Sequence, residues 1–210
     1  MATLWTFGDS FTASYDVRYD WSRNYVEWKG YVPKVYGDLI SEKLNLDLVN
    51  LGVGGSDNYS IFQSFCDVSH KIKNDDVVIF GWSSPLRFRL PTKHNRWEMF
   101  LPNFTKNLTN IDGVSMDTIQ EILLNRDSIK FIEEVNSWIG LIDCFLKEIT
   151  HVHWTTFDKR LNAHMINNVE NIRTETKGLI DDGHFSEKGQ IELSNKLITI
   201  FSKGNSKKII

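Results

Sequence analysis

No stretch of this chain approaches the roughly 20 consecutive apolar residues that a membrane-spanning helix needs. The N-terminus has no basic segment leading into a long apolar run, so no secretory leader is expected. A cytoplasmic location is therefore the default, and release by lysis or carriage on a virus particle would leave no mark in such a sequence. Excess positive charge is also missing. The net charge of −3 gives no basic face for nucleic acid, and the basic end SKGNSKKII reads as a frayed tail, with residues 204–210 beyond the folded part. Cysteine is scarce. Cys66 and Cys144 both fall in apolar-periodic segments and are expected to be reduced core residues rather than a bridge. There is no internal repeat and no low-complexity linker, so residues 1–203 are expected to form a single domain. The Asn-x-Ser/Thr matches at Asn58, Asn103 and Asn107 carry no weight as glycan sites without an export signal.

What is present is ordinary globular composition, 41% hydrophobic and 24% charged, over 210 residues. That length suffices for one well-buried core. Residues 3–7 read as a short buried strand and LDLVNLG as a second. DDVVIFGW, an unbroken apolar run, reads as a third strand covered on both faces, and VHWTTF as a fourth. Helical spacing runs from Pro33 to Leu44, from Ser56 or Asp57 onward, over residues 128–149, and over residues 186–201. Alternating strands and helices predict a parallel sheet with helices on both faces. Residues 13–31 have no clean period but hold Tyr15, Tyr19, Trp21, Tyr25 and Trp28. Residues 86–127, with His94, Arg96, Trp97 and Phe100, read as an ordered insertion, a lid or a partner-binding face.

Three polar stretches follow the strand ends. GDSFT places Ser10 after strand one, NLGVGGSDN follows strand two and GWSSPLRF follows strand three. LIDDGHFSEKG lies just before the last helix. A hydroxyl, flexible backbone donors and a carboxylate–imidazole pair are what acyl transfer to water requires. A serine hydroxyl is too weakly acidic to attack unaided, so an imidazole must take its proton and a carboxylate must fix the imidazole tautomer. Read blandly, each stretch is a turn or a helix cap, but that does not explain their pairing.

GDSFT, NLGVGGS and DGHFSEKG, in this order and spacing from Gly8 to His184, resemble three of the four sequence blocks of the SGNH hydrolases, the GDSL-type esterases. The resemblance implies a three-layer α/β/α sandwich with a mostly parallel, flavodoxin-like sheet. It implies Ser10 as nucleophile, His184 as base and Asp181, three residues before it, as the orienting carboxylate. Asp182 is the rival for that last role, since adjacent side chains point apart. The second block implies the Gly55 N–H as an oxyanion donor beside the N–H of Ser10. The third block departs from the family's Gly-x-Asn-Asp, because Gly81-Trp82-Ser83-Ser84 puts Ser83 in the asparagine's place. Ser83, the Asn58 amide or the charge of Arg87 are the possible replacements.

Asp9, Trp82, Arg87 and Trp21 are expected to border the substrate. The aromatic residues after Ser10 would suit stacking on a sugar ring, or else form a satellite hydrophobic cluster. His151 and His153 share one strand face but have no third ligand near them in sequence, so no metal is expected, nor any other cofactor. The expected activity is hydrolysis of small-molecule or carbohydrate esters through an acyl-enzyme, with carbohydrate O-deacetylation preferred. The rival is a catalytically weak or inactive binding module on the same scaffold, working through its insertion.

Overall fold

Three apolar runs that end in or next to glycine lie side by side. In the computed structural model, which describes residues 1–18, 20–91, 97–100, 121 and 128–203, they are β1 (Thr3–Gly8), β2 (Asp47–Gly52) and β3 (Val77–Trp82). A short antiparallel hairpin follows, β4 (Phe88–Pro91) and β5 (Trp97–Phe100), at the root of the predicted insertion. With β6 (Thr150–Thr155) and β7 (His164–Met165), the first three strands make one sheet in the order β2-β1-β3-β6-β7, parallel throughout.

Helices cover both faces because the inner strands are apolar on both sides. On one face, α3 (Asn58–Val68) and α4 (Ser128–Phe145) bury Ile61, Phe65, Ile132, Val135, Ile139 and Ile142 against Phe7, Val78 and Phe80. On the other, α2 (Tyr36–Leu44) and α6 (Glu187–Ser202) bury Ile40, Leu193 and Leu197 against Leu4, Ile79 and Trp154. Each fully buried Leu, Ile or Phe contributes roughly 1.5–3 kcal/mol of transfer free energy. The result is the three-layer sandwich expected from the alternation of strands and helices. No described helix is long and apolar enough to cross a membrane.

The differences from the sequence reading have local causes. Residues 13–31 contain a helix, α1 (Asp20–Lys29), whose buried stripe of Ser22, Tyr25 and Val26 includes only two apolar residues. Tyr25 and Val26 from α1 pack with Tyr15, Val35 and Ile172 in a satellite cluster, Ile172 coming from the single turn α5 (Ile172–Glu175). The helix expected from Pro33 begins only at Tyr36, where the Asp38 carboxylate accepts the Val35 N–H at 2.9 Å. Cys66 and Cys144 are free thiols, but both are exposed on helix surfaces rather than buried in the core. Most of the expected insertion, including His94 and Arg96, lies outside the described residues, as do the side chains of Trp97 and Phe100.

Candidate active site

The turn after β1 is held by its own first residue. The N–H groups of Thr12 and Ala13 both donate to the Asp9 carbonyl, at 3.0 and 2.9 Å, and the Phe11 N–H donates to Asp9 Oδ1 at 3.0 Å. This turn folds back over the carboxyl edge of the sheet, and glycine makes room for it. Gly8 is in register with Gly52 on one side and Gly81 on the other. A Cβ on Gly8 or Gly81 would sit 2.1 or 2.7 Å from Thr12 Oγ1, and one on Gly52 2.6 Å from the Ala13 nitrogen. The glycine that closes LWTFG, LVNLG and VVIFG was the available signal for this bay, and it becomes visible only when the three strands are aligned.

Ser10 sits on that turn, largely buried, with His184 Nε2 2.7 Å from its Oγ. The last loop is pinned to bring the imidazole there. Ile172 N–H donates to the His184 carbonyl at 2.8 Å, Arg173 N–H to the Asp182 carbonyl at 2.9 Å, and the Tyr15 hydroxyl to the Phe185 carbonyl at 2.6 Å. Ser186 then caps α6 by accepting the Gly189 N–H.

The carboxylate partner corrects the sequence expectation. Asp182 Oδ1 lies 2.5 Å from His184 Nδ1 and also accepts the His184 backbone N–H at 2.8 Å. Asp181 points away, 82% exposed, in a surface ion pair with Arg173. Neighbouring side chains do point apart as anticipated, but the main-chain bond from Arg173 to Asp182 turns the second aspartate inward. Burial works against the Asp182 carboxylate, yet the hydrogen bond and charge of His184 outweigh it and hold its pKa below the ordinary value.

On the oxyanion side, Gly55 takes φ +84°, a left-handed conformation that glycine adopts without steric cost, and turns the chain into α3. Asp57 caps that helix through the Ser60 N–H at 2.8 Å. Asn58 is committed to the third block's backbone: its Nδ2 donates to the Ser83 carbonyl at 3.0 Å and its Oδ1 accepts the Ser83 N–H at 2.8 Å. Ser83 Oγ is fully buried and makes no hydrogen bond of good geometry, although it lies close enough to Asp9 to favour that carboxylate. Neither side chain presents a free donor at the surface of the site.

Arg87 Nη1 lies 3.2 Å from Asp9 Oδ2 and donates to the Ser56 carbonyl at 2.9 Å. The pair is buried, with side-chain exposures of 9% and 3%. Burial raises the Asp9 pKa, and Arg87, the Phe11 N–H and Ser83 only partly offset it. Asp9 is thus a buried structural carboxylate rather than a group facing substrate. Trp82, expected at the substrate, is 1% exposed and packs in the core. The side chain of Trp21 lies outside the described residues.

Asp143 supplies the third group that His151 and His153 lacked in the sequence, with Oδ1 at 2.9 and 3.1 Å from their Nε2 atoms. The proton inventory decides what this cluster is. Trp82 Nε1–H donates to His153 Nδ1 at 3.0 Å, so the neutral His153 ring carries its proton on Nε2 and directs it at Asp143. Metal ligation through that Nε2 would need the proton on Nδ1, against the indole N–H. His151 bonds the Ile149 carbonyl through Nδ1 and Asp143 through Nε2. The donor set therefore fits a closed, hydrogen-bonded His–Asp–His network and not a metal centre. Burial alone would raise the Asp143 pKa, but its two histidine partners bring it down to about 2. Burial disfavours the His151 cation, and Asp143 outweighs it to raise that pKa.

The arrangement of sheet and helices has a structural counterpart in the psychrotrophic esterase EstA from Pseudoalteromonas sp., solved inhibited by monoethylphosphonate. The two align with a TM-score of 0.51 at 10% identity, covering 97% of this chain and 98% of that one. The fold is that of the SGNH hydrolases. Two further similar structures, both below a TM-score of 0.5, add nothing to that argument. One is a member of the lipolytic protein G-D-S-L family from Veillonella parvula, at 0.47 and 12% identity over 97% of this chain and 100% of that one. The other is a catalytic mutant of Axe2, an acetylxylan esterase from Geobacillus stearothermophilus, at 0.48 and 12% identity over 95% and 94%. No family model matches the sequence, and no curated protein matches it either. On this SGNH-type scaffold the residues of the first, second and last blocks meet at the carboxyl ends of β1 and β2, the edge at which open α/β sheets hold their sites.

Proposed function

We propose that the chain is a serine esterase that hydrolyses small carboxylic esters through an acyl-enzyme on Ser10. The observation that carries this reading is the hydrogen-bonded line Ser10 Oγ–His184 Nε2 and His184 Nδ1–Asp182 Oδ1. In the acylation step Ser10 Oγ attacks the carbonyl carbon while His184 Nε2 takes the hydroxyl proton. Asp182 holds the Nδ1–H tautomer and stabilises the imidazolium. The tetrahedral oxyanion is received by the backbone N–H groups of Ser10 and Gly55. It collapses as His184 returns the proton to the departing alkoxide, leaving Ser10 acylated. A water molecule, deprotonated by His184, then attacks the acyl carbon and releases the acid and the free serine.

A polar hollow of about 270 Å³ opens just past the nucleophile turn, against Ala13 and Ser14, and we assign it to a hydroxyl-rich alcohol half. Ser14, Asp16, Arg18 and Asn50 line it, with Gly54 next to Gly55. Acetylated sugars are the substrate class we favour. Of the aromatic residues after Ser10, Tyr15 and Tyr25 are buried in the satellite cluster and are not available to stack on a sugar.

The test is release of acetate from p-nitrophenyl acetate and from acetylated sugars by the purified protein, compared with Ser10→Ala and His184→Ala. Hydrolysis by the wild type alone is expected, and equal rates in all three proteins would refute the reading. The second reading, a binding module with a disabled oxyanion hole, is favoured by one observation. Neither Ser83, whose Oγ is enclosed, nor Asn58 of the second block, whose amide is engaged, offers a free side-chain donor.

A further inference from the structure

We propose that Arg87 sets the geometry of the oxyanion hole, a positioning role that rests on the esterase reading. The two backbone donors come from different turns, Ser10 from the nucleophile turn after β1 and Gly55 from the glycine turn after β2. A single Arg87 nitrogen bridges these turns. Nη1 grips the carboxylate of Asp9, the residue before Ser10, and the carbonyl of Ser56, the residue after Gly55. Each donor is thus within one residue of an atom held by Arg87. Asp9 Oδ1 completes the link by accepting the Phe11 N–H on the other side of Ser10.

Charge neutralisation of Asp9 would not by itself require this arrangement. A buried ion pair costs desolvation that its attraction only roughly repays, and apolar replacements of such pairs are often neutral or stabilising. The second contact, to the Ser56 carbonyl, does nothing for the Asp9 charge but adds a tie between the turns next to the two donors, beyond the bonds of the Val53 N–H to the Gly8 carbonyl and of Asn50 Nδ2 to the Thr12 carbonyl. In the family pattern the third block reaches the oxyanion through an asparagine side chain. Here Ser83 is enclosed, and the third block reaches the other two blocks through Arg87, four residues further on.

The experiment compares wild type, Arg87→Ala and the double variant Asp9→Asn/Arg87→Met, with turnover expressed per serine labelled by a fluorophosphonate. That normalisation removes any misfolded fraction, which a merely structural role would enlarge. Arg87→Ala is expected to lower kcat about a hundredfold, the scale of an ångström-sized misplacement, with KM within about threefold because the oxyanion contacts form mainly in the transition state. Guanidinium chloride, well below denaturing concentration, should restore part of kcat to Arg87→Ala and none to Asp182→Asn.

The double variant leaves no buried charge unpaired and gives up only the hydrogen bond to the Ser56 carbonyl, so it melts above Arg87→Ala while its kcat stays low. It carries the test if Arg87→Ala fails to fold. Unchanged turnover per labelled serine in Arg87→Ala, or wild-type turnover in the double variant, would overturn the inference and leave the esterase reading standing. A wild type that neither labels nor hydrolyses would overturn that reading itself.

Discussion

Replacing Asp182 by asparagine separates the two adjacent aspartates and tests the base-orienting geometry. Asp182 Oδ1 accepts both the His184 Nδ1–H and the His184 backbone N–H, so the carboxylate fixes the ring and the peptide that carries it. Asparagine is nearly isosteric and can keep the backbone bond through its carbonyl oxygen. It can also turn its amide N–H toward Nδ1, which forces the ring proton onto Nε2 and removes the acceptor that Ser10 needs. The imidazolium formed during attack also loses its counter-charge. The expected loss in kcat is about 10³- to 10⁴-fold, or about 4–5.5 kcal/mol of transition-state stabilisation. Asp181→Asn removes only an exposed ion pair with Arg173, worth about 0–1 kcal/mol of stability, and should leave kcat within about twofold. Initial rates on p-nitrophenyl acetate, normalised to labelled Ser10, make the comparison. An Asp182→Asn protein with near wild-type kcat, or an Asp181→Asn protein as impaired as its neighbour, would refute the reasoning.

Three other predictions concern buried groups outside the Ser10–His184–Asp182 line. The Asp143 pKa, held at about 2, contributes stability present above the ordinary value of 3.8 and lost as pH falls through 2, an effect on the order of 2 kcal/mol. The raised His151 pKa contributes stability fully present below 6.5 and lost as pH rises through its folded value. The melting-temperature gap between wild type and Asp143→Asn should therefore be widest between about pH 4 and 6.5, and a gap independent of pH would contradict the assigned ionisation. On the oxyanion side, Asn58→Ala removes both bonds to the Ser83 backbone and should lower stability by about 1–3 kcal/mol with a fall in kcat, read by thermal melting and initial rates. Ser83→Ala should change kcat less than about threefold, because its hydroxyl is enclosed; a loss of about a hundredfold would make that hydroxyl an oxyanion donor after all.

The parallel sheet was legible because the runs ending at Gly8, Gly52 and Trp82 are short, apolar and spaced by helical patterns. The carboxyl-edge placement of Ser10 followed from where those runs stop, whereas His184 was assigned through the resemblance of DGHFSEKG to the family's last block. What sequence could not supply was long-range pairing. Asp181 and Asp182 differ only in which one the Arg173 main chain turns inward, a contact made by a segment with little periodicity of its own. The roles of Asn58 and Arg87 depend on how the turns after β1, β2 and β3 meet, and α1 was missed because its buried stripe of Ser22, Tyr25 and Val26 holds only two apolar residues amid exposed aromatic and charged ones. Asp143 lies in the stripe-bearing helix α4, and its closeness to His151 and His153 depends on how that helix packs on β6.

The central claim is that Ser10 is an activated nucleophile, and covalent labelling tests it most directly. Wild type, Ser10→Ala and His184→Ala would each be treated with a fluorophosphonate, and the adduct located by mass spectrometry of the digested protein. One phosphonyl group per wild-type chain, carried on Ser10, is the expected result. Ser10→Ala should take up none and His184→Ala should react at a small fraction of the wild-type rate. A wild-type protein that stays unlabelled, or one labelled equally well without His184, would contradict the account.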